Sequence, residues 1–268
     1  MNRNLLVKDL QRNFKSFLGG SFAVLLFIGI TIGIYSSMKE SITMITDLYA
    51  TLPKSIMEAL HFQEDQWNTI LGFYATYFVY YVPLMGGIYA YYLSGRLLAL
   101  EEQNKTAEFL LSRPLSRNAV VASKLLVYTI YITGFNVLVY VMGLLSCGFA
   151  SDWDYSILNL TILHTYGLMF CLFIGYLGFF IYVLMKKARS SLMIGIAIVM
   201  GSYVFDMMIR ITDRVQFLSY FTPFKYLDID TISPDYGLDV WRILVLLGAS
   251  AVLIMLSFVR YRRKDILI

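Results

Sequence analysis

Apolar residues are concentrated in six long windows of the chain, which short polar stretches separate. The windows are residues 17–37, 70–94, 118–148, 158–184, 190–210 and 241–260. A helix needs about 20 predominantly apolar residues to cross the hydrocarbon core of a bilayer, and each window supplies them. The pattern predicts an all-α membrane protein with six transmembrane helices in a single transmembrane domain, residues 1–268.

The composition agrees with this prediction. Hydrophobic residues make up 58% of the chain and charged residues 15%, and the mean hydropathy is +0.65. An ordinary soluble domain is markedly more polar. Cys147 and Cys171 both lie in apolar windows, where cysteine usually serves as a small buried hydrophobic residue. Their positions favour packing over a metal or redox site.

Basic residues lie mainly on one side of the predicted membrane. With six spans, the N-terminus, the connections near 95–124 and 185–191, and the C-terminus share one side. That side holds 16 of the 22 Lys and Arg residues but 5 of the 18 acidic residues. Because Lys and Arg are enriched in cytoplasmic connections, both termini are predicted to be cytoplasmic. We expect a multi-pass protein of the cell membrane, here a bacterial cytoplasmic membrane.

The N-terminal segment 2–18, NRNLLVKDLQRNFKSFL, has the pattern of an amphipathic helix. Its apolar positions are Leu6, Leu10, Phe14 and Phe17, and its basic positions are Arg3, Lys8, Arg12 and Lys15. Basic side chains of such a helix bind anionic lipid head groups while the apolar face enters the interface. The segment is therefore predicted to be an interfacial helix that contacts membrane lipids.

The centres of the six windows contain no Asp, Glu, Lys or Arg. A charged residue at a helix centre costs about 2.5–3.5 kcal/mol on insertion scales, and proteins that move protons or ions accept that cost to build a relay. The sequence shows no such relay, which disfavours an ion-coupled transporter. His164 is the one ionisable group well inside a window, and we interpret it as a hydrogen-bonded packing residue.

Common enzyme motifs are also missing from the sequence. It contains no G-x-x-x-x-G-K-[ST] phosphate loop, no H-E-x-x-H and no G-x-S-x-G. The acidic pairs Asp152 and Asp154, and Asp228 and Asp230, have the oxygen ligands that hard divalent cations prefer. Acidic outer loops are expected from the charge asymmetry alone, so the sequence predicts neither a catalytic nor a metal site.

The polar stretch between the second and third windows has a defined pattern. Residues 97–113 suit a helix, with Leu97, Leu100, Ala107 and Leu111 on one face and Glu101, Lys105 and Glu108 on another. Pro114 disfavours helical geometry at Arg113 and ends this helix, and Ser116 can cap the next one. The pattern predicts an amphipathic helix at the cytoplasmic surface, although an ordinary polar loop fits it equally well.

Residues 101–124, EEQNKTAEFLLSRPLSRNAVVASK, resemble the signature of the type 2 permease family of ATP-binding-cassette transporters. The matching positions are Glu102, Thr106, Glu108, Leu110, Leu111, Pro114, Ser116, Arg117 and Lys124. Many members have Gly where this chain has Lys105. Residues 51–62, TLPKSIMEALHF, are similar to a short Pro-led helix in one branch of the family. Residues 217–230, FLSYFTPFKYLDID, resemble the segment that contributes to a re-entrant outer hairpin before the last span.

The resemblance implies the partners and the contact residues. Residues 97–113 would be a coupling helix that rests in a groove of a separate ATPase subunit, which would bind ATP and Mg²⁺, while this chain binds no cofactor. A second copy or a homologue would complete the membrane part, and no nucleic acid is involved. The implied contact residues are Glu101, Glu102, Lys105, Thr106, Glu108, Arg113 and Arg117.

A substrate path is suggested by the second window, where Tyr74, Tyr77 and Tyr81 share one helical face. Their rings combine apolar area with a hydroxyl group, although tyrosines also anchor or pack spans. Pro83 and the following Gly86–Gly87 predict a kink or flexible point.

Family members of this size are mostly exporters, which implies outward transport of an amphipathic or hydrophobic peptide, antibiotic or drug. Three alternatives stay open at this point. The chain could export a lipid-linked polymer, act as a membrane-embedded enzyme through its outer acidic loops, or serve as a channel or peptide-immunity protein without ATP coupling.

Overall fold

The computed structural model of the protein describes residues 3–38, 41, 51–53, 56–57, 67–103, 116–185, 188–220, 222–227 and 237–263. Across these ranges the architecture is helical and contains no β-strand. The α-helices are α1 (Arg3–Met38), α2 (Ile70–Tyr80), α3 (Gly87–Gln103), α4 (Arg117–Ser151), α5 (Ile157–Leu184), α6 (Ala188–Ile211) and α7 (Val240–Arg262). A π-helix covers Tyr81–Gly86, and 3₁₀-helices cover Asp213–Tyr220 and Pro223–Leu227.

The predicted interfacial helix at the N-terminus is not a separate element. It forms the first half of α1, which runs without a break for 36 residues and is therefore about 54 Å long at 1.5 Å per residue. Leu5, Asp9 and Asn13 are buried along one side of this half, whereas Phe14 is exposed. The segment 2–18 is therefore continuous with the first span, and its buried polar side chains pack against the bundle.

The second predicted span, 70–94, consists of three consecutive helical segments: α2, the π-helix and α3. The irregularity that Pro83 and Gly86–Gly87 predict takes the form of this π-helix. Proline lacks an amide hydrogen and its ring crowds the carbonyl of an α-helix four residues earlier, and a π turn accommodates that defect.

Five helices in the described ranges are long and apolar enough to cross a membrane, namely α1, α4, α5, the 193–211 part of α6, and α7. Their bounds lie within a few residues of the predicted windows, apart from the longer α1. α2 and α3 are each shorter than such a helix. The count of six spans therefore stays a prediction, as does the placement of the termini.

α5 is the central helix of the bundle. It packs against α3, α4 and α7, while α1 packs along α4, and α6 packs on α3. Of the apolar window of α5, 56% is buried, against 22% for α6 and 17% for α7. The outer helices α6 and α7 therefore leave most of their apolar surface to lipid or to another subunit.

Close contact between α3 and α6 depends on a glycine. The ring of Tyr91, in α3, lies directly over Gly195, in α6, where an added methyl group would overlap the ring. Tyr91 is 2% exposed. By contrast, Gly201 lies two turns further along α6 and has open space at its Cα.

The predicted re-entrant hairpin at 217–230 falls partly on the two 3₁₀-helices. Thr222, between them, donates a hydrogen bond from its hydroxyl to the Ser202 carbonyl (3.2 Å) and accepts one from the Phe224 amide (3.3 Å). Phe224 stacks edge-on against Phe170 of α5. Residues 228–236 lie outside the described ranges, so a hairpin stays a prediction.

Candidate functional site

Polar side chains from three helices form a buried cluster where α3 ends and α4 begins. We call Asp9, Asn13, Arg96 and Lys124 the basal cluster. Lys124 Nζ lies 3.4 Å from Asp9 Oδ2 and donates a hydrogen bond to the backbone carbonyl of Leu97. Asp9 and Lys124 are each 1% exposed, so this ion pair is removed from water.

Asn13 and Arg96 extend the cluster along α1 and α3. Arg96 Nε donates to Asn13 Oδ1 at 3.0 Å, and Arg96 Nη1 donates to the Tyr92 hydroxyl at 2.9 Å. Asn13 Nδ2 donates to the Asp9 carbonyl at 2.8 Å. Buried charges are tolerated when they are paired and hydrogen-bonded, and each charged group of the cluster has such partners.

The basal cluster joins α1, α3 and α4 at the point from which the predicted coupling helix starts. Lys124 was singled out by the family resemblance, but the roles of Asp9 and Asn13 were missed. Their signal is visible in the sequence, because both polar residues follow Leu5 at intervals of four on one face of α1. Polar residues on a buried face need partners from neighbouring helices.

Arg117 binds the end of α7. Its Nη1 donates to the carbonyl of Arg262 at 3.0 Å and to that of Tyr261 at 3.5 Å, and Arg262 Nε donates to Asn118 Oδ1 at 2.8 Å. Carbonyls in the last turn of a helix lack partners within the helix, and Arg117 supplies a cationic donor for two of them. The predicted cap is present, since the Ser116 hydroxyl accepts from the Ala119 amide at 3.2 Å.

The implied ATPase-contact residues are only partly within the described ranges. The backbone of Glu101 and Glu102 lies in the last turn of α3. Arg117 begins α4 and makes the contacts with α7 given above. The remaining implied contacts lie outside the described ranges: Lys105, Thr106, Glu108 and Arg113. Their contact with an ATPase stays a prediction.

The three tyrosines of the suggested substrate path differ in how deeply they are buried. Tyr74 and Tyr81 are buried within this subunit, at 0% and 1% exposure, and their rings meet edge-on. Tyr77 is half-buried and packs against Phe73 and Trp67. Burial of the first two favours the packing role that the sequence analysis left open. Tyr77 is the member with accessible surface.

His164 is hydrogen-bonded inside the bundle, as the sequence analysis expected of a packing histidine. Its Nε2 lies 3.0 Å from the Tyr74 hydroxyl, and its ring contacts Phe78 and Tyr140 edge-on. The residue is 3% exposed. The contact joins α5 to α2 and fixes the orientation of the Tyr74 ring.

Of the two acidic pairs, Asp152 and Asp154 lie within the described ranges. Asp152 ends α4 in the left-handed conformation, with φ of 53°, and its amide donates to the Gly148 carbonyl. This is a helix-ending role. Asp228 and Asp230 lie outside the described ranges. Among the residues described, no group of three His, Cys, Asp or Glu side chains is placed to hold a metal ion.

The helical bundle and its apolar spans define a multi-pass membrane protein. Residues 3–266 match the family described as ABC-2 family transporter protein. The chain therefore belongs to this family of permease subunits, which are membrane transport components rather than the ATPase itself and normally work with an ATP-binding-cassette subunit. The match covers nearly the whole chain and confirms the resemblance seen at residues 101–124. No protein of curated function matches the chain.

Proposed function

We propose that this permease subunit exports an amphipathic or hydrophobic molecule, using ATP hydrolysed by a separate subunit. The segment that follows α3 is the contact with that ATPase, and a second copy or a homologue completes the passage. The observation that carries the proposal is the basal cluster, because it ties the end of α3 to α1 and α4 through Lys124.

A mechanical link needs a stiff connection between the ATPase and the spans. Lys124 contacts the Leu97 carbonyl, only six residues before the described end of α3 at Gln103. A displacement applied beyond Gln103 is therefore passed to α1 and α4 through the buried pair and to α5 through its packing on α3. Arg117 extends the connection to α7.

The placement of charges supports ATP hydrolysis as the energy source. Among the described residues, the buried charged groups are Asp9, Lys124 and Asp206, and they lie toward the helix ends rather than along a path through the spans. Asp206 pairs with Arg210 at 3.1 Å. A proton or ion relay needs ionisable groups inside the membrane. The arrangement supports an energy supply from a partner ATPase.

The test is purification from native membranes through a tag on this chain. A soluble ATPase should co-purify, and inside-out vesicles that contain the complex should accumulate an amphipathic peptide or drug only when ATP is present. A matched control uses ATP with vanadate, which stops turnover without changing the membrane. Accumulation that needs no ATPase would contradict the proposal. Accumulation in right-side-out vesicles alone would mean that the protein imports its substrate instead of exporting it.

A further inference from the structure

Two neighbouring cavities lie toward the end of the bundle away from the basal cluster. The first, of about 520 Å³, lies between the end of α6 and the 3₁₀-helices. The second, of about 210 Å³, lies between α5, α6 and α7. Tyr220 lines both, so the cavities are neighbours that share one side chain.

The larger cavity has a polar lining with a net positive charge among its described side chains. Asp206 and Arg210 form an ion pair at 3.1 Å and balance each other. Lys225 Nζ donates to the Ser219 hydroxyl at 3.2 Å and lies 3.9 Å from the centre of the Tyr220 ring. Neither of these groups carries a negative charge, so within the described part of the lining the charge of Lys225 is not neutralised by a carboxylate.

The smaller cavity is mainly apolar. Phe173 and Leu177 of α5, Ile198 of α6, and Val245 and Leu246 of α7 line it. Its volume is about seven times the volume that one water molecule occupies in the liquid, which is about 30 Å³. It therefore has room for a segment of an alkyl chain.

We propose that the two cavities form one binding site for an amphipathic molecule with an anionic head group. The head group lies beside Lys225 and the apolar chain lies in the smaller cavity. An ammonium group forms charge-assisted hydrogen bonds with a phosphate or carboxylate. The phenol ring of Tyr220 suits the junction, since one part of it is apolar and the other polar.

Access from the bilayer supports this class of ligand. Apolar side chains of α6 and α7 near the cavities point away from the bundle, among them Val204 and Leu247, which are 49% and 46% exposed. An amphipathic molecule in the adjoining leaflet would therefore meet an apolar surface beside the cavities. The shared chemistry fits a resident phospholipid and a transported amphiphile equally well, and the experiment separates these sources.

The probe is dodecyl phosphate with a photoreactive diazirine in its chain, added to native membrane vesicles that contain the full protein. Dodecyl phosphocholine with the same photoreactive chain serves as the comparison, because its head group has no net charge. Labelled peptides are mapped by mass spectrometry. Dodecyl phosphate should label the parts of α5, α6 and α7 that line the smaller cavity, at lower concentration than dodecyl phosphocholine.

Four variants test the assignment. Lys225→Gln should weaken labelling by dodecyl phosphate about tenfold to a hundredfold, the range for loss of one charged hydrogen bond, and should weaken labelling by dodecyl phosphocholine less, because the choline group of that probe balances its phosphate. Lys225→Arg should retain labelling. Ala249→Leu fills the smaller cavity and should weaken both probes. Arg214→Gln is the matched control, since Arg214 is exposed and lies outside the lining of both cavities.

Equal labelling of wild type and Lys225→Gln by dodecyl phosphate would overturn the proposal, as would an equal loss in Arg214→Gln or labelling confined to other helices. The source of the natural ligand follows from two further measurements. A resident phospholipid would co-purify with the wild type and be depleted in Lys225→Gln. A transported amphiphile would protect the site from labelling until ATP is hydrolysed. Because the labelling itself needs no ATP, its outcome is independent of the exporter proposal.

Discussion

The side chains of Asp9 and Lys124 lie 3.4 Å apart in the interior of the bundle, although 115 positions separate them in the sequence. One belongs to the segment with the pattern of an interfacial helix, and the other to the start of a span. Their contact makes the N-terminal segment part of the bundle. It also gives the protein a defined point at which the end of α3 is held.

Lys124→Met should strongly destabilise the protein. Removal of one partner leaves the other charge buried and unpaired, which costs about 3–5 kcal/mol. The double variant Asp9→Leu with Lys124→Met removes both charges and should recover much of this loss. Thermal unfolding of the purified protein measures the difference. Lys15→Met is the control, because Lys15 is exposed on the same helix as Asp9.

Charge reversal in the predicted ATPase contact should reduce transport without reducing the amount of folded protein. Glu102→Lys and Glu108→Lys should leave the amount of inserted protein unchanged, while transport and substrate-stimulated ATP hydrolysis fall together by at least about tenfold, since mispaired charges at an interface cost several kcal/mol. Asp154→Lys, at the other end of the bundle, is the matched reversal and should affect neither activity. Normal transport by both glutamate variants would exclude this segment as the contact.

Alanine substitutions of Tyr74 and Tyr77, both in α2, should have different effects. Tyr74→Ala removes a buried ring and its hydrogen bond to His164, and should cost about 3–5 kcal/mol, as other aromatic truncations in cores do. Tyr77→Ala removes a ring that is only half-buried, so it should lower the amount of folded protein less than Tyr74→Ala and should change the preference among substrates. The measurements are the amount of folded protein and resistance to two chemically different compounds. A uniform loss that follows expression in both variants would remove the substrate-path hypothesis.

Gly195→Ala should destabilise the contact between α3 and α6. A methyl group there overlaps the Tyr91 ring, and overpacking of a core typically costs about 1–3 kcal/mol. Gly201→Ala adds the same group to the same helix in open space. Thermal unfolding of the two variants should show a clear loss only for the first. Equal effects would mean that helix propensity, rather than the close contact, decides the outcome.

The predicted orientation can be tested with single cysteines in a background that lacks Cys147 and Cys171. Asp154→Cys should react with an impermeant thiol reagent in intact cells, and Arg263→Cys should react only after the membrane is opened. Both native positions are exposed. The prediction rests on the enrichment of basic residues in cytoplasmic connections. Reaction of the cysteine at 263 from outside would reverse the orientation.

Hydrophobic length made most of the fold predictable. The windows at 118–148 and 158–184 agree closely with α4 and α5, since an apolar stretch of that length has few alternatives to a spanning helix. The window at 70–94 did not predict a π-helix, although Pro83 and the two glycines predicted an irregularity at its position. Composition alone cannot distinguish a bent helix from one that changes its hydrogen-bonding pattern.

The candidate site was predictable only in part. Lys124 could be found through a sequence motif, because the motif includes its position. Its partner Asp9 could not, since the pairing depends on how α1 packs along α4, and sequence spacing carries no information about that contact. Likewise, Arg117 carries a charge suited to an ATPase groove, and only the folded chain shows that α7 accepts its hydrogen bonds.

The π-helix changes the direction in which side chains of the second predicted span point, so the residues before it and after it face different helices. A π turn takes up an additional residue, so side chains after it are rotated by about 100°, the angle of one residue in an α-helix, relative to an unbroken helix. Before it, α2 faces α1 and α4; after it, α3 faces chiefly α5 and α6. This predicted span therefore contacts one set of helices before Tyr81–Gly86 and chiefly another set after it, so its side chains connect α1 and α4 with α5 and α6 through a single continuous segment.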